Sequence, residues 1–222
     1  MLNRHLALGT LLVIILGLIL LVSSCSPSKQ NTATIPSPES GGQITSEPAT
    51  EEPTTDLSHL VYSNPAEVDN SKLPITLTEQ IHVTGSAPEV DIAQYRLTID
   101  GLVDTKVALS YDTLLSYPTV TNVVLLICPG FFVDNAEWTG VPVNTLLAEA
   151  GIRPQASRLV FYALDGYQVG LSLEEVQGDG VFLAHTVNGQ LLPKEHGFPL
   201  RLVVTGEYGS TWVKWVNRID VR

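Results

Sequence analysis

Two cysteines, Cys25 and Cys128, are the only thiols of the chain. Cys128 ends the apolar run Val120–Cys128 and is followed by a Pro-Gly pair, which predicts a thiol at the end of a buried strand. A thiolate at such a place can bind a soft metal, or it can act as a nucleophile if His82 or His196 serves as its base. A free cysteine also packs as a small apolar residue, so this residue alone leaves three roles open.

Several classes of protein are excluded by what the sequence lacks. It contains no P-loop, dinucleotide fingerprint, HExxH, CxxC or G-x-S-x-G motif, and its histidines do not have the spacing of a tight zinc site. The formal net charge is −11, which disfavours binding to the phosphate backbone of nucleic acids. We therefore expect no nucleic-acid partner.

The N-terminus has the features of a bacterial lipoprotein leader. A short start containing Arg4 precedes an uncharged run rich in Leu, Ile and Val, and small residues then lead to Cys25. This pattern predicts a signal peptide over residues 1–24, lipidation of Cys25, and a protein anchored by lipid outside the cytoplasm. The alternative is an uncleaved signal anchor. If Cys25 is acylated, Cys128 has no disulfide partner within the chain.

Composition divides the remainder into a tether and a domain. Residues 25–73 are rich in Ser, Thr, Pro and Glu, and predict a disordered tether, with a short ordered contact near Leu60. Residues 74–222 predict one folded domain. Strand patterns there outnumber helix patterns and do not alternate with them regularly, which favours an α+β fold of mixed sheets with short helices.

Local patterns predict six further elements of the domain, two helices and four strands. Ser110 is predicted to cap a short helix ending at Leu115, and a second helix spans Pro142 to Ala150 before Gly151. An Asp165-Gly166 turn joins two strands as a hairpin. The segments Leu200 to Thr205 and Trp212 to Val216 are predicted as strands.

Motifs in a fixed order give the domain a family resemblance. Taken together, they resemble the sulfite-oxidase-type molybdopterin-binding domain over about 140 residues. These motifs are His82-Val-Thr-Gly, Tyr95-Arg-Leu-Thr-Ile-Asp-Gly, Leu126-Ile-Cys-Pro-Gly, Trp138-Thr-Gly-Val-Pro-Val, Asp165-Gly-Tyr, Asn188-Gly-Gln-Leu-Leu, His196-Gly-Phe-Pro-Leu-Arg-Leu-Val-Val and Trp212-Val-Lys-Trp-Val.

The resemblance implies a molybdenum–molybdopterin cofactor and two-electron oxygen-atom transfer to or from a small molecule. It implies that Cys128 is the single protein ligand of the metal and that Tyr167 is an active-site residue. Trp138 is predicted to belong to the core. The implied cofactor-binding residues are His82, His196, Arg201, Trp212, Val213 and Lys214.

The sequence departs from the family at positions that bear on function. Sulfite oxidases carry arginines where this chain has Thr84 and Val133, so sulfite is not the expected substrate and an apolar or sulfoxide-like one is favoured. Ala163 cannot make the hydrogen bond usual at its position. The leader lacks the twin arginines of proteins exported with their cofactor, which leaves a cofactor-free binding or accessory lipoprotein as the alternative. The chain ends at Arg222 without a haem motif, so we expect a separate electron-transfer partner.

Overall fold

The computed structural model describes residues 56–222. The predicted signal peptide, Cys25 and the tether up to residue 55 lie outside the described residues. No helix among residues 56–222 is long and apolar enough to cross a membrane.

Strands form most of the regular secondary structure of the described residues, with two α-helices among them. The strands are β1 (Arg96–Gly101), β2 (Val107–Ser110), β3 (Val120–Cys128), β4 (Phe132–Pro142), β5 (Arg158–Ala163), β6 (Gln168–Ser172), β7 (Val181–Val187), β8 (Gln190–Leu191), β9 (Arg201–Val204) and β10 (Val216–Val221). The α-helices are α1 (Tyr111–Leu114) and α2 (Val143–Ala150), and 3-10 helices span Ser58–Leu60, Asn70–Lys72, Thr78–Gln80, Lys194–His196 and Gly209–Thr211.

Two sheets share one main core. The first has the order β2-β1-β10-β5-β6, in which β1 and β10 are parallel and the other neighbours are antiparallel. The second has the order β3-β4-β7-β8, and β9 also pairs with β7. Their apolar faces meet around large buried side chains such as Phe161 and Phe182. This mixed, strand-rich architecture confirms the predicted α+β fold.

Both helices form where the sequence predicts them. The side chain of Ser110 accepts a hydrogen bond from the Thr113 N–H, as expected for an N-cap. Helix α2 ends at Gly151, whose φ of 68° suits a residue without a Cβ. Its buried face, which includes Leu146 and Leu147, packs on the main core.

The β3–β4 hairpin presents Cys128. All nine residues of β3 pair with β4, and the last pair joins Cys128 to Phe132. Beyond Cys128 the chain reverses, and the Phe131 N–H donates to the Cys128 carbonyl at 2.9 Å. Gly130 takes a φ of 78°, which the turn requires and a side chain disfavours. The thiol therefore lies at a strand end beside a tight turn, as the sequence predicts.

The N-terminal arm, residues 56–83, packs against this hairpin. Leu57 is buried with Leu125, Ile127 and Val133 in a second apolar cluster. The sequence predicts a domain that begins at residue 74, whereas packing in the structure begins at Leu57. The predicted tether therefore extends too far, because a few apolar residues in a polar stretch are enough to cover one side of a hairpin.

The segment predicted as a strand from Trp212 to Val216 differs in the structure. Only Val213 forms an isolated bridge, to Leu202, and β10 begins at Val216. Trp215 has a φ of 56°, which a bulky residue rarely adopts and which interrupts the ladder. Side-chain type alone predicts a strand here, but the backbone forms an irregular loop.

Gly140 is a position at which an added methyl group should strongly destabilise the fold. A Cβ there would lie 2.1 Å from the Leu183 carbonyl oxygen, where the β4–β7 register shifts. Gly140→Ala is expected to lower the free energy of unfolding by about 3 kcal/mol, because backbone must move to make room. Urea denaturation measures this. Gly180→Ala is the control, since its Cβ would meet only Thr205 at 3.6 Å, and an equal loss in both variants would contradict the steric cause.

Candidate functional site

A polar cleft of about 230 Å³ collects several of the predicted residues. It lies where the end of the N-terminal arm, the β5–β6 turn and the loop before β10 meet. Of the predicted residues, Tyr167, Arg201, Trp212 and Lys214 line it, while Cys128, His82, His196 and Val213 do not. The full lining is Thr84, Gly85, Asp165, Tyr167, Arg201, Gly209, Trp212, Lys214 and Trp215.

Arg201 is a buried cation that contacts no carboxylate within residues 56–222. It begins β9, is 6% exposed, and its guanidinium carbon lies 5.0 Å and 5.3 Å from the ring centroids of Trp138 and Trp212. Nη1 donates to the His196 carbonyl at 3.0 Å, whereas the buried Nε has no partner. Burial lowers the pKa of Arg201 to about 10, and the charge of Asp134 offsets part of that effect. A guanidinium held this way is suited to bind an anion.

Lys214 adds a second cation to the same cleft. Its ammonium group donates to the Thr84 carbonyl and, at 3.1 Å, to the Glu195 carbonyl, and it lies 4.3 Å from the Trp215 ring centroid. Burial, and then the charge of Arg201, lower the pKa of Lys214 to about 8, with Asp165 acting in the opposite direction. Because each positive charge disfavours the protonated form of the other group, an anion bound between them would stabilise both charges.

The depressed pKa of Lys214 predicts a pH-dependent stability of the cofactor-free protein. The folded chain releases this proton near pH 8, whereas the unfolded chain keeps it to about pH 10.5. The unfolded state thus binds more protons in that window, so the free energy of unfolding should rise with pH there. Urea titrations at a series of pH values measure the rise.

Two charge-removing variants test the assignment of this effect. Lys214→Met should remove the rise between pH 8 and pH 10.5. Lys106→Met should retain it, because Lys106 is an exposed residue outside the cleft. An unchanged pH slope in Lys214→Met would show that another group is responsible.

The loop from Trp212 to Trp215 forms one wall of the cleft. The Trp212 Nε1–H donates to the Val204 carbonyl at 3.1 Å, and the Trp215 Nε1–H donates to the Lys194 carbonyl at 2.7 Å. Val213 is fully buried and directed into the core, so it supports this wall from behind. The left-handed backbone at Trp215 leaves Lys214 half-buried at the cleft.

Tyr167 contributes the β5–β6 hairpin's side of the cleft. It follows the Asp165-Gly166 turn, and its hydroxyl donates to the Ser210 carbonyl at 2.6 Å. That contact ties the β5–β6 hairpin to the Gly209–Thr211 helix. The phenol oxygen keeps a lone pair with which it can accept a further hydrogen bond. The active-site role of Tyr167 stays a prediction.

His196 ends the Lys194–His196 helix, and its carbonyl accepts the hydrogen bond from Arg201. It is buried, lines a separate cavity with Thr78, Glu79 and Glu195, and its Nδ1 has no partner. Burial, followed by the charges of Arg201 and Lys214, lowers the pKa of His196. The ring is therefore predominantly neutral near pH 7 and can act as a hydrogen-bond donor or acceptor.

Cys128 is half-buried beside the cleft. The Gly209–Thr211 helix packs on the end of β3, since a Cβ on Gly209, a lining residue, would lie 3.0 Å from Leu126 and 3.4 Å from the Ile127 carbonyl oxygen. Cys128 is the next residue, and it is a free thiol. Within residues 56–222, no three His, Cys, Asp or Glu side chains converge as a metal cluster. A metal with one protein ligand, as predicted for Cys128, does not require such a cluster.

His82 lies on the outer side of the same hairpin. Its ring stacks on Phe132, the residue paired with Cys128, at 4.6 Å between centroids. Its Nδ1 lies 2.9 Å from the Asp134 Oδ1. Sequence reasoning missed Asp134, because a single acid within a strand carries no motif.

A larger apolar groove lies elsewhere, beside α2. It measures about 400 Å³ and is lined by Asn144, Leu147, Ala148, Gly151, Ile152, Leu173, Val176 and Gln177. None of these side chains ionises or acts as a nucleophile. The smaller cleft at Arg201 is therefore the better candidate for chemistry.

The residues around the cleft fit an anionic pterin cofactor. The buried Nε of Arg201, which lines the cleft, has no partner in the described part of the chain. Buried polar groups in folded proteins are almost always hydrogen-bonded, so an unpaired guanidinium nitrogen at a cleft indicates a missing polar ligand. Two cations and aromatic walls match a flat, phosphate-bearing molecule.

Comparison with known proteins gives the same assignment. The family described as "Oxidoreductase molybdopterin binding domain" matches residues 84–222. The chain is 32% identical over 167 residues to a nitrate reductase of Phytophthora infestans, covering 62% of this chain and 18% of that protein. It is 32% identical over 165 residues to the mitochondrial sulfite oxidase of Macaca fascicularis, covering 61% and 30% respectively.

A solved structure extends the likeness to the fold. The sulfane dehydrogenase SoxCD of Paracoccus pantotrophus superposes with a TM-score of 0.63 at 28% identity, covering 82% of this chain and 56% of that one. The chain thus spans less than a third of the two curated relatives and about half of the solved chain. Matched over most of its described residues, this chain belongs to the oxidoreductase molybdopterin-binding domain family.

Proposed function

We propose that this protein is a molybdenum–pterin oxidoreductase that exchanges an oxygen atom with a small molecule at the outer face of a bacterial membrane. The observation that carries the proposal is Arg201, a buried cation that lies against two tryptophan rings and whose Nε has no partner within residues 56–222. Burying a charge without a partner is costly, and an anionic cofactor supplies that partner.

Each residue of the site has a role in this proposal. Arg201 and Lys214 hold the anionic end of the pterin, while Trp212 and Trp215 shield that contact from water. Cys128 supplies the thiolate that binds the metal. Tyr167 is placed to orient a group at the mouth of the cleft. When bound, the molybdenum–pterin group supplies two-electron oxygen-atom transfer.

The surface around Cys128 favours a substrate of low charge. Phe131, three residues after Cys128, is 82% exposed, and so is Tyr62 of the N-terminal arm, whose ring faces Gly130. Val133 stands where sulfite oxidases carry arginine, and it is buried under the arm. An aromatic rim binds apolar groups better than a small dianion. We therefore propose a sulfoxide or thioether rather than sulfite as the substrate class.

We further propose a lipid anchor and a separate redox partner for this protein. The leader and Cys25 support a lipid anchor, with residues 26–55 as the tether between lipid and domain. Oxygen-atom transfer to or from such a substrate moves two electrons, and we propose that a separate redox partner supplies or accepts them.

Metal and pterin content test the proposal directly. Full-length protein purified from membranes of its host is expected to hold about one molybdenum and one pterin per chain. Elemental analysis measures the first, and fluorescence of the oxidised pterin measures the second. Well-folded protein with neither would overturn the proposal and favour a cofactor-free binding lipoprotein on the same fold.

A further inference from the structure

Asp134 is a buried carboxylate whose hydrogen-bond contacts, within residues 56–222, go to His82. It lies in β4, is 1% exposed, and both its oxygens face His82. Oδ2 accepts a hydrogen bond from the His82 backbone N–H at 3.0 Å, and Oδ1 lies 2.9 Å from the His82 Nδ1. An ionised carboxylate only accepts hydrogen bonds, so this contact requires a proton on Nδ1.

The ring that Asp134 holds lies next to the metal-ligand position. His82 stacks nearly parallel on Phe132, with an interplanar angle of 8°. Phe132 is directly opposite Cys128 in the β3–β4 ladder, where paired Cα atoms lie about 5 Å apart. Nε2 is the ring nitrogen that the carboxylate does not engage, and the side chain is half exposed.

We propose that Asp134 is a positioning residue for cofactor binding, because it fixes the His82 ring with the Nδ1–H directed to the carboxylate and Nε2 directed away from it, available to the molybdenum–pterin group. The cofactor part of this inference rests on the proposed function, and the tautomer part does not. Partners of this kind set the tautomer and orientation of a histidine that binds a ligand through its other nitrogen.

Anchoring of the N-terminal arm does not explain the Asp134 contact, because the neighbouring residue already anchors it. The Asn135 N–H donates to Thr76 Oγ1 at 3.0 Å, and the Asn135 carbonyl accepts from the Thr76 N–H at 2.7 Å. The Asn135 side-chain amide also donates to the Leu73 carbonyl at 3.3 Å. Residues 73–76 are therefore held without Asp134. Asp134 also acts through its charge on Arg201, but its two hydrogen-bond contacts both go to His82.

The first test is the tautomer of His82 in full-length protein prepared without cofactor. Long-range proton–nitrogen NMR correlations should show His82 with Nδ1 protonated, and His82→Gln identifies the signals by removing them. In Asp134→Asn the amide can accept from only one of the two donors, so the form of the ring with a bare Nδ1 should become prominent. Asp220→Asn is the control, since Asp220 is a buried acid paired with Arg222 in the other sheet.

The second test asks whether Asp134 acts through His82. Asp134→Asn should weaken retention of molybdenum and pterin by about 10- to 100-fold, while Asp220→Asn retains both. Adding Asp134→Asn to His82→Gln should cause no further loss, because the ring that Asp134 positions is already gone.

The outcomes separate this inference from the proposed function. An unchanged His82 tautomer in Asp134→Asn overturns the positioning role, and so does a full additional loss of cofactor in the double variant. If no variant or parent binds molybdenum or pterin while the tautomer changes as expected, the contact is right and the proposed cofactor is wrong.

Discussion

Replacing Arg201 with methionine is expected to remove cofactor binding while leaving the cofactor-free fold nearly as stable as before. The guanidinium is buried against Trp138 and Trp212 and contacts no carboxylate of the described residues, so its charge stabilises the ligand rather than the fold. Removing one partner of a buried charge pair costs about 2–5 kcal/mol, which is at least about 30-fold in affinity.

The fold should tolerate this change because two effects oppose each other. Methionine loses the cation–π contacts and the hydrogen bond to the His196 carbonyl, together a few kcal/mol. It also removes the cost of burying a charge, which is of similar size. We expect the free energy of unfolding of the cofactor-free protein to change by less than about 2 kcal/mol.

Retained molybdenum and pterin after extensive dialysis, together with urea denaturation, measure the two effects separately. Arg218→Met is the matched control, because Arg218 is paired with Asp100 at 2.9 Å on the other sheet. That variant should keep its cofactor. Full cofactor content in Arg201→Met would mean that Arg201 does not bind the anion of the cofactor.

Local sequence patterns predicted the elements that are determined by residues close together in the chain. The bounds of β3 were predicted correctly because nine residues of suitable type run without interruption to Cys128. Ser110 and Gly151 marked helix ends because caps act within one turn. The hairpin at Asp165-Gly166 followed from the turn residues themselves.

Strand β4 was not predicted, for a physical reason. Asp134 and Asn135 are adjacent and both buried, so the alternation that marks a half-buried strand is absent. The N-terminal arm supplies hydrogen-bond partners for their polar groups. His82, the partner of Asp134, is 52 residues away in the sequence. A pattern search within a short window does not contain such partners.

The residues of the candidate site were predicted from the sequence, but their distant contacts were not. Family motifs indicated Arg201, Trp212 and Lys214, and the structure brings them to one cleft with Tyr167. The motifs did not indicate that Arg201 is buried without an acid, or that His82 depends on Asp134. Both properties depend on which distant segments cover a side chain, which only the packed fold determines.

Replacing Cys128 with serine is expected to abolish activity while the protein keeps its fold. Cys128 is half-buried at a strand end, and serine has nearly the same shape, so the free energy of unfolding should change by less than about 1 kcal/mol. A serine hydroxyl stays protonated at neutral pH and is a poor ligand for a metal that prefers soft sulfur. Because loss of a group behind a ligand already costs about 10- to 100-fold, loss of the ligand itself should lower activity by at least about 100-fold.

The pattern across variants identifies the role of this thiol. Cys128→Ser should retain pterin, since Arg201 and Lys214 are intact, whereas Arg201→Met should lose it. Cys25→Ser is the matched control, because it makes the same change at the predicted lipid site and should release the protein from membranes with its specific activity unchanged. Specific activity, pterin fluorescence and membrane fractionation measure the three properties. If Cys128→Ser kept full activity and molybdenum, the metal would have another ligand and the role proposed for this thiol would be wrong.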